Sequence, residues 1–334
     1  MIYKNIDIHN VAEVIEDEKG GVRWLRVPQS VYDKMESEQG QRMCRGATGV
    51  ELRFVMKGDK AVVKLACDGS STVTVNVFFG GVQAGWQCYG ESKTLFGDAE
   101  LVIQRPEKPE LLKDYSLRSG YDFSPEVVRV IFSKGSCRLI DVEGDVCPPE
   151  KDLLPKKTIL AYGSSITHGS NSLAMSNNWT SVLAHNLNSD LINLGMAGSC
   201  RMEPEMIDHI ASLGESDVWT TALLELGINV LSWDEETIRQ RVGNALRQVA
   251  GRNPTKRVYV ISPLYCHNDY YGREDANKWR RLIADEVEKT AYPNVRYING
   301  LELLGDVSGL SADEVHPNIY GILQIATRLT EIIK

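Results

Sequence analysis

The chain has 334 residues and a net charge of −8, from 37 Lys and Arg against 45 Asp and Glu. This acidic balance does not match the basic surface that nucleic-acid binding requires, and 43% hydrophobic with 25% charged residues is typical of folded rather than disordered chains. The length allows two domains, and no run of about 18 apolar residues occurs, so no membrane span is predicted.

Short segments that alternate apolar and polar residues dominate the first 150 positions. The clearest of them lie at residues 50–54, 72–77 and 128–132. A period of two places one face of a strand on a core and the other in water, which is typical of antiparallel sheets. Glycine-containing turns separate the segments. The pattern predicts a β-sandwich of the jelly-roll type over residues 1–150.

The chain changes character after a segment that contains Pro148, Pro149 and Pro155. Proline has no N–H to donate to a sheet, so a domain boundary is predicted there. Beyond it, near-continuous apolar runs alternate with segments of helical periodicity, as expected for parallel strands that are buried on both faces. These strands are predicted at residues 158–162, 190–193, 218–226, 257–263 and 295–298.

Two helices of the second part carry clear apolar stripes. One is predicted over residues 238–249, beginning at a capping box of Ser232 and Glu235, and the other lies over residues 322–333. The alternation predicts a doubly wound α/β domain of the flavodoxin-like kind over residues 156–334, with a five-stranded parallel sheet.

Residues with catalytic chemistry follow the predicted strands, at the sheet edge where open α/β folds bind ligands. They lie in the segments 163–169, 193–199, 227–229 and 313–317. Each segment alone has an ordinary structural explanation as a turn, a helix entry or a helix cap. Together they provide a serine hydroxyl, a histidine to take its proton, a carboxylate to orient the histidine, and glycine N–H groups with an Asn amide for an oxyanion. The combination indicates acyl transfer.

The four segments resemble the conserved blocks of the SGNH (GDSL-type) hydrolase family. The resemblance implies that Ser165 is the nucleophile, with Asp313 and His316 completing a catalytic triad. It also implies an oxyanion hole made of the Ser165 N–H, the Gly198 N–H and the Asn229 side chain. The first 150 residues resemble, more weakly, the β-sandwich carried by a subgroup of the family that includes carbohydrate esterases and acyltransferases.

Two positions depart from the family pattern. Ser164 stands where the family has Asp, and Val230 stands where a second Asp follows the asparagine. Both changes remove a carboxylate beside the site, and the first leaves Ser164 as an alternative reactive hydroxyl. Three further residues are candidates for substrate contact, each with an alternative structural role, and they are His168, Trp179 and Arg201.

The sequence predicts a serine esterase that removes a short acyl group, such as acetyl, from a carbohydrate or another small polar molecule. The alternatives are an acyltransferase that uses the same site and a non-catalytic carbohydrate-binding protein. No cofactor or metal is expected, because GxGxxG, P-loop and metal-ligand spacings do not occur. Seven cysteines with no CxxC pair, and no apparent signal peptide, predict a cytoplasmic protein with reduced thiols. The oligomeric state, including a homo-oligomer, stays open.

Overall fold

The computed structural model describes residues 1–334 and contains three β-sheets. The strands are β1 (Ile2–Tyr3), β2 (Ile6–His9), β3 (Glu13–Glu16), β4 (Val22–Leu25), β5 (Glu51–Met56), β6 (Lys60–Ala66), β7 (Thr72–Phe79), β8 (Val82–Gln83), β9 (Lys93–Phe96), β10 (Asp98–Gln104), β11 (Val127–Gly135), β12 (Arg138–Glu143), β13 (Val146–Cys147), β14 (Thr158–Gly163), β15 (Asp190–Gly195), β16 (Thr221–Glu225), β17 (Arg257–Ile261) and β18 (Val295–Ile298). The α-helices are α1 (Gln29–Tyr32), α2 (Glu38–Arg45), α3 (Pro109–Ser119), α4 (Ser165–His168), α5 (Trp179–Asn186), α6 (Pro204–Glu215), α7 (Glu235–Ala245), α8 (His267–Tyr270), α9 (Asp275–Thr290), α10 (Gly300–Leu303) and α11 (Ile319–Ile333).

Two antiparallel sheets form the first part of the chain. The larger has the order β1-β2-β5-β11-β7-β8, with β13 on β5 and β9 on β7, and the smaller has the order β10-β6-β12-β4-β3. Alternate residues of β7, such as Val73, Val75 and Val77, enter a core that they share with Val63 and Leu65 of β6. The three alternating segments found in the sequence correspond to β5, β7 and β11, which are neighbours in the larger sheet.

Helices α1 and α2 were not predicted from the sequence, and they join the first part of the chain to the second. Val31 of α1 and Cys44 of α2 lie in the same apolar core as the strands of the parallel sheet. Ser37 caps helix α2, because its hydroxyl accepts a hydrogen bond from the Gly40 N–H at 3.1 Å. Both helices are short, so their apolar residues do not form a pattern that periodicity detects.

The second part confirms the predicted five-stranded parallel sheet, with the order β15-β14-β16-β17-β18. In order of appearance this is 2-1-3-4-5, the flavodoxin-like winding. Gly163 pairs with Gly195, so β14 and β15 end at the same level and their following loops meet. Helix α7 is capped by Asp234 and not by the predicted Ser232, because the Asp234 carboxylate accepts from the Thr237 N–H at 2.8 Å. None of the helices combines the length and apolar character needed to cross a membrane.

Strand β15 is an edge of the parallel sheet, and side chains from the first part of the chain cover it. Arg53 donates to both carboxylate oxygens of Asp190 at 2.7 and 2.6 Å, and all of these groups are buried. Asn10 and Arg26 donate to the Asn193 carbonyl at 3.0 and 2.8 Å. Burial alone would raise the pKa of Asp190, but the Arg53 guanidinium holds it well below its usual range. The two parts therefore share a polar interface as well as a core.

Candidate active site

Ser165 lies at the first turn after the central strand β14. The preceding residue, Ser164, caps helix α4 by accepting a hydrogen bond from the Ile166 N–H at 3.1 Å. Ser165 is therefore the first helical residue, a position whose N–H has no partner within the helix. Its side chain is 8% exposed. Any side chain on Gly163 would meet Thr167 and Glu225, because a Cβ there would lie 2.3 and 2.6 Å from their oxygens.

The structure brings Ser165 together with His316 and Asp313. The Ser165 Oγ lies 2.7 Å from His316 Nε2, and His316 Nδ1 lies 2.8 Å from Asp313 Oδ2. The second Asp313 oxygen accepts from the main-chain N–H groups of Val315 and His316 at 3.0 and 2.8 Å. Desolvation would raise the pKa of Asp313, but these hydrogen bonds hold it well below its usual range. An ionised Asp313 keeps the imidazole proton on Nδ1, so Nε2 is free to accept the serine proton.

Three groups are candidate donors to an oxyanion, namely the main-chain N–H of Ser165, the main-chain N–H of Gly198 and the side-chain amide of Asn229. The main-chain N–H of Cys200 donates to Asn229 Oδ1 at 3.0 Å, and this bond leaves the Asn229 Nδ2 without a partner in the protein. Gly198 has a φ of +68°, a conformation that favours glycine, and its N–H has no main-chain acceptor. With the Ser165 N–H, these are donors of the kind that stabilise an oxyanion.

Residues of the first part of the chain hold the loop that carries Gly198. Gln39 Nε2 donates to the Ala197 carbonyl at 3.0 Å, and the hydroxyls of Ser37 and Ser199 lie 2.8 Å apart. Arg26 donates to the Gly195 carbonyl at 3.0 Å, where the loop begins. A donor in an oxyanion hole is useful only if its position is fixed before the reaction. These contacts supply that rigidity from outside the α/β part.

A buried carboxylate that the sequence reasoning missed lies under the Ser165 turn. Oε2 of Glu225 accepts from the Ser164 N–H and Oγ, both at 2.7 Å, and from Thr167 Oγ1 at 3.1 Å. Glu225 Oε1 has no partner in the protein. Burial raises the pKa of Glu225, and the three hydrogen bonds oppose that change. The loss of the family's Asp at position 164 therefore does not leave this turn without a carboxylate.

The three candidates for substrate contact lie in different surroundings. Trp179 is 1% exposed, and its indole N–H donates to the Ile166 carbonyl at 3.1 Å, so it belongs to the core and offers a substrate no surface. His168 is also buried, and burial lowers its pKa to about 3, which keeps the imidazole neutral. Arg201 is half-buried and forms no ion pair with Glu203. Arg201 is the most exposed of the three, and His168 keeps a buried Nδ1 without a partner in the protein.

Asn171 is a second residue at the site that the sequence reasoning missed. Its side-chain Nδ2 donates to Asp313 Oδ2 at 3.3 Å and to Ser311 Oγ at 2.9 Å. It thus ties the segment after α4 to the loop that carries the histidine. No group of three or more His, Cys, Asp or Glu side chains is placed to hold a metal ion. The arrangement of Ser165, His316 and Asp313 can transfer an acyl group through a serine ester.

Three solved structures share the fold over nearly the whole chain. The salicylyl-acyltransferase SsfX3 from a tetracycline biosynthetic pathway is 16% identical, with a TM-score of 0.77 over 99% of this chain and 94% of its own. A family two carbohydrate esterase from Clostridium thermocellum, in complex with cellohexaose, is 14% identical, with a TM-score of 0.61 over 98% of both chains. The acetyl xylan esterase Est2A from Butyrivibrio proteoclasticus is 12% identical, with a TM-score of 0.56 over 100% and 96%.

At such identities these likenesses show the fold alone, and no curated protein matches the chain in sequence. The sequence of the α/β part gives the decisive comparison. Residues 156–334, more than half of the chain, match the family described as GDSL-like lipase/acylhydrolase. The chain therefore belongs to the GDSL-like lipase/acylhydrolase family of ester-hydrolysing enzymes.

Proposed function

We propose that the protein is a serine esterase that removes a short acyl group, such as acetyl, from a carbohydrate or a similar polar alcohol. The observation that carries the proposal is the continuous hydrogen-bonded chain from Ser165 through His316 to Asp313. The loops that follow the neighbouring strands carry Gly198 and Asn229, whose donors we assign to the oxyanion hole. The carbohydrate esterases that share the fold favour a sugar as the alcohol part of the ester.

The reaction follows from the geometry. His316 Nε2 takes the proton of Ser165 as its Oγ attacks the ester carbonyl, and Asp313 stabilises the imidazolium that forms. The carbonyl oxygen becomes negatively charged and accepts hydrogen bonds from the donors of Ser165, Gly198 and Asn229. His316 then gives its proton to the departing alcohol. Water attacks the acyl-enzyme with His316 again as the base, which releases the acid and restores Ser165.

The second candidate is an acyltransferase on the same site, in which an alcohol replaces water in the last step. The structural similarity to SsfX3 over nearly the full length of both chains favours this acyltransferase alternative. The two functions differ only in how the acyl-enzyme breaks down. A non-catalytic sugar-binding role is disfavoured, because such a protein has no need of the His316–Asp313 pair.

Labelling with a fluorophosphonate, followed by intact mass measurement, tests the nucleophile. Wild type and Ser164→Ala should gain one adduct, whereas Ser165→Ala and His316→Ala should not. The Ser164→Ala variant is the matched control, because it removes the neighbouring hydroxyl. A folded wild-type protein that takes up no label would refute the hydrolase proposal. Label that persists in Ser165→Ala would show that the nucleophile is another residue.

The products formed when the acyl-enzyme breaks down then distinguish hydrolysis from acyl transfer. An ester series of increasing acyl length, with and without added sugar alcohols, measures the partition between free acid and new ester. A hydrolase yields mainly acid whatever acceptor is added.

We also propose that residues 1–150 form an accessory domain of the jelly-roll type, and that the enzyme acts in the cytoplasm. The second point is supported by all seven cysteines being free.

A further inference from the structure

A cavity of about 700 Å³ lies between the larger antiparallel sheet and helix α5. Its lining includes Asn76 and Phe78 of β7, Tyr115 of α3, and Ser181 and His185 of α5. None of the triad or oxyanion-hole residues belongs to the lining. The volume is within the range of small-molecule sites, and such sites favour the boundary between two structural units.

The cavity exists because β7 presents polar residues to a buried interface. The alternation that sends Val75 and Val77 into the sandwich core turns Asn76 toward the α/β part. Asn76 is 1% exposed, and its Nδ2 donates to Ser176 Oγ at 2.9 Å. Its Oδ1 has no partner in the protein. Asn76 and Ser176, which it holds, are thus polar residues of the cavity wall.

The charges along the lining argue against an anionic ligand, and the one carboxylate outside an ion pair, that of Glu91, is exposed to solvent. Arg129 is the only Lys or Arg in it, and its guanidinium is committed to both Glu51 oxygens, at 2.8 and 2.6 Å, and to the Gly80 carbonyl at 3.1 Å. Desolvation and the charge of Arg129 lower the pKa of His185, so its imidazole is uncharged at neutral pH. No free cation is left to bind a phosphate or a carboxylate.

Aromatic rings occupy one side of the cavity. Tyr121 packs against His185 with ring centroids 4.8 Å apart, and Tyr115 is 48% exposed. Gly81 allows this placement, because a Cβ there would lie 2.7 Å from the Tyr121 ring. Aromatic faces beside amide and hydroxyl groups suit a molecule with an apolar ring face and hydroxyls at its edge. We infer that this cavity is a binding site for a neutral saccharide, separate from the catalytic serine.

Calorimetric titration of the full-length protein with soluble cello-, xylo-, manno- and chito-oligosaccharides tests the inference. These sugars carry no ester, so the reaction does not interfere. The titrations are run on the wild type and on protein whose Ser165 has been blocked with a fluorophosphonate. At least one saccharide should bind both forms with the same Kd. If the label does not attach, the Ser165→Phe variant supplies the block.

Variants on the surface of α3 locate the binding. Tyr115→Ala should weaken binding about tenfold, because it removes an aromatic face. Leu117→Ala is the matched control, since Leu117 is on the same helix, is 81% exposed and does not line the cavity, and it should leave the Kd unchanged. Asn76→Leu replaces a polar residue of the wall and releases Ser176, and it should also weaken binding. Because Tyr115 is exposed, its variant keeps the test valid even if Asn76→Leu fails to fold.

Three results would overturn the inference. They are no binding of any saccharide, binding that disappears when Ser165 is blocked, and binding that Tyr115→Ala and Leu117→Ala affect equally. The proposal does not depend on the esterase function. A protein that resists labelling but binds sugar in the cavity would refute the esterase and support the second site. If the protein is an active esterase but its blocked form binds no sugar, the esterase proposal is supported and the second site is refuted.

Discussion

Substitutions of Glu225 should separate the hydrogen bonds under the Ser165 turn from the charge that accepts them. All three donors, from Ser164 and Thr167, reach the same oxygen, Oε2, and the other oxygen is unpartnered. A glutamine can place its amide oxygen at Oε2 and its NH₂ group at the vacant side. Glu225→Gln therefore keeps the three hydrogen bonds and removes the charge, while burying an NH₂ group where Oε1 has no partner, whereas Glu225→Ala removes both the hydrogen bonds and the charge.

The magnitudes follow from the burial of these groups. In Glu225→Ala the Ser164 N–H and the two hydroxyls lose their acceptor in the interior, and each unsatisfied buried group costs about 1–3 kcal/mol. We expect a free energy of unfolding lower by about 3 kcal/mol or more. Release of the turn also displaces Ser165, and a shift of about 1 Å in a reacting group costs about 100-fold in rate. Glu225→Gln should lose no more than a few-fold in rate.

Hydrolysis of p-nitrophenyl acetate at neutral pH, together with urea unfolding, measures both effects. The Ser165→Ala variant sets the background rate for the assay. If Glu225→Gln loses as much activity as Glu225→Ala, the charge and not the hydrogen bonding is what the site needs. If Glu225→Ala retains the rate and stability of the wild type, Glu225 does not position the nucleophile and the reasoning is wrong.

Three further predictions concern single residues. Asn229→Ala should lower kcat by about 100-fold or more with little change in KM, because in the proposed reaction its amide stabilises the developing oxyanion; steady-state kinetics measures both constants. Burial raises the pKa of Glu203 to about 7, so the native state binds the carboxyl proton more tightly than the unfolded chain does. The free energy of unfolding therefore falls as pH rises from about 4.5 to 7. Glu203→Gln should therefore stabilise the protein by about 3 kcal/mol at pH 8 and by little at pH 4, as measured by urea unfolding at each pH. Arg53→Met should lower the free energy of unfolding by about 3–5 kcal/mol, because it leaves the buried Asp190 without its guanidinium partner. Adding Asp190→Leu should restore part of the loss, and a denaturation series without that recovery would contradict the explanation.

The parallel sheet could be predicted because the sequence signals of each strand lie within one short segment of the chain. Each strand is a short apolar run bounded by turn residues, and the carboxyl ends of such strands meet at one edge. The same logic groups Ser165, Asn229 and His316 at that edge, and the structure places the Ser165 Oγ 2.7 Å from His316 Nε2. The alternating strands of the first part were equally visible. The pairing order of its two sheets was not, because it depends on contacts between distant segments.

The role of Glu225 could not be predicted, because its hydrogen-bond partners lie in the turn that follows a different strand, β14. In the sequence it is one charged residue at the end of an apolar run, with nothing to show that the turn after β14 lies beside it. Trp179 was ambiguous for a related reason. Its place at the start of a helix was visible, but the face that it occupies depends on how α5 packs against the sheet. The contacts of Ser37 and Gln39 with the oxyanion loop span more than 150 residues, beyond the reach of any local pattern.

The covered edge of β15 limits how the enzyme can be divided. A fragment made only of residues 156–334, the span of the family match, would expose the carbonyls of Asn193 and Gly195 that Arg26 now occupies. It would also leave Asp190 without its guanidinium and open an apolar face where α1 and α2 pack. An uncovered edge strand recruits strands from other molecules, so such a fragment should aggregate during expression. Variant libraries, fusion tags and limited-proteolysis experiments should therefore be designed on the whole chain, with both parts kept together.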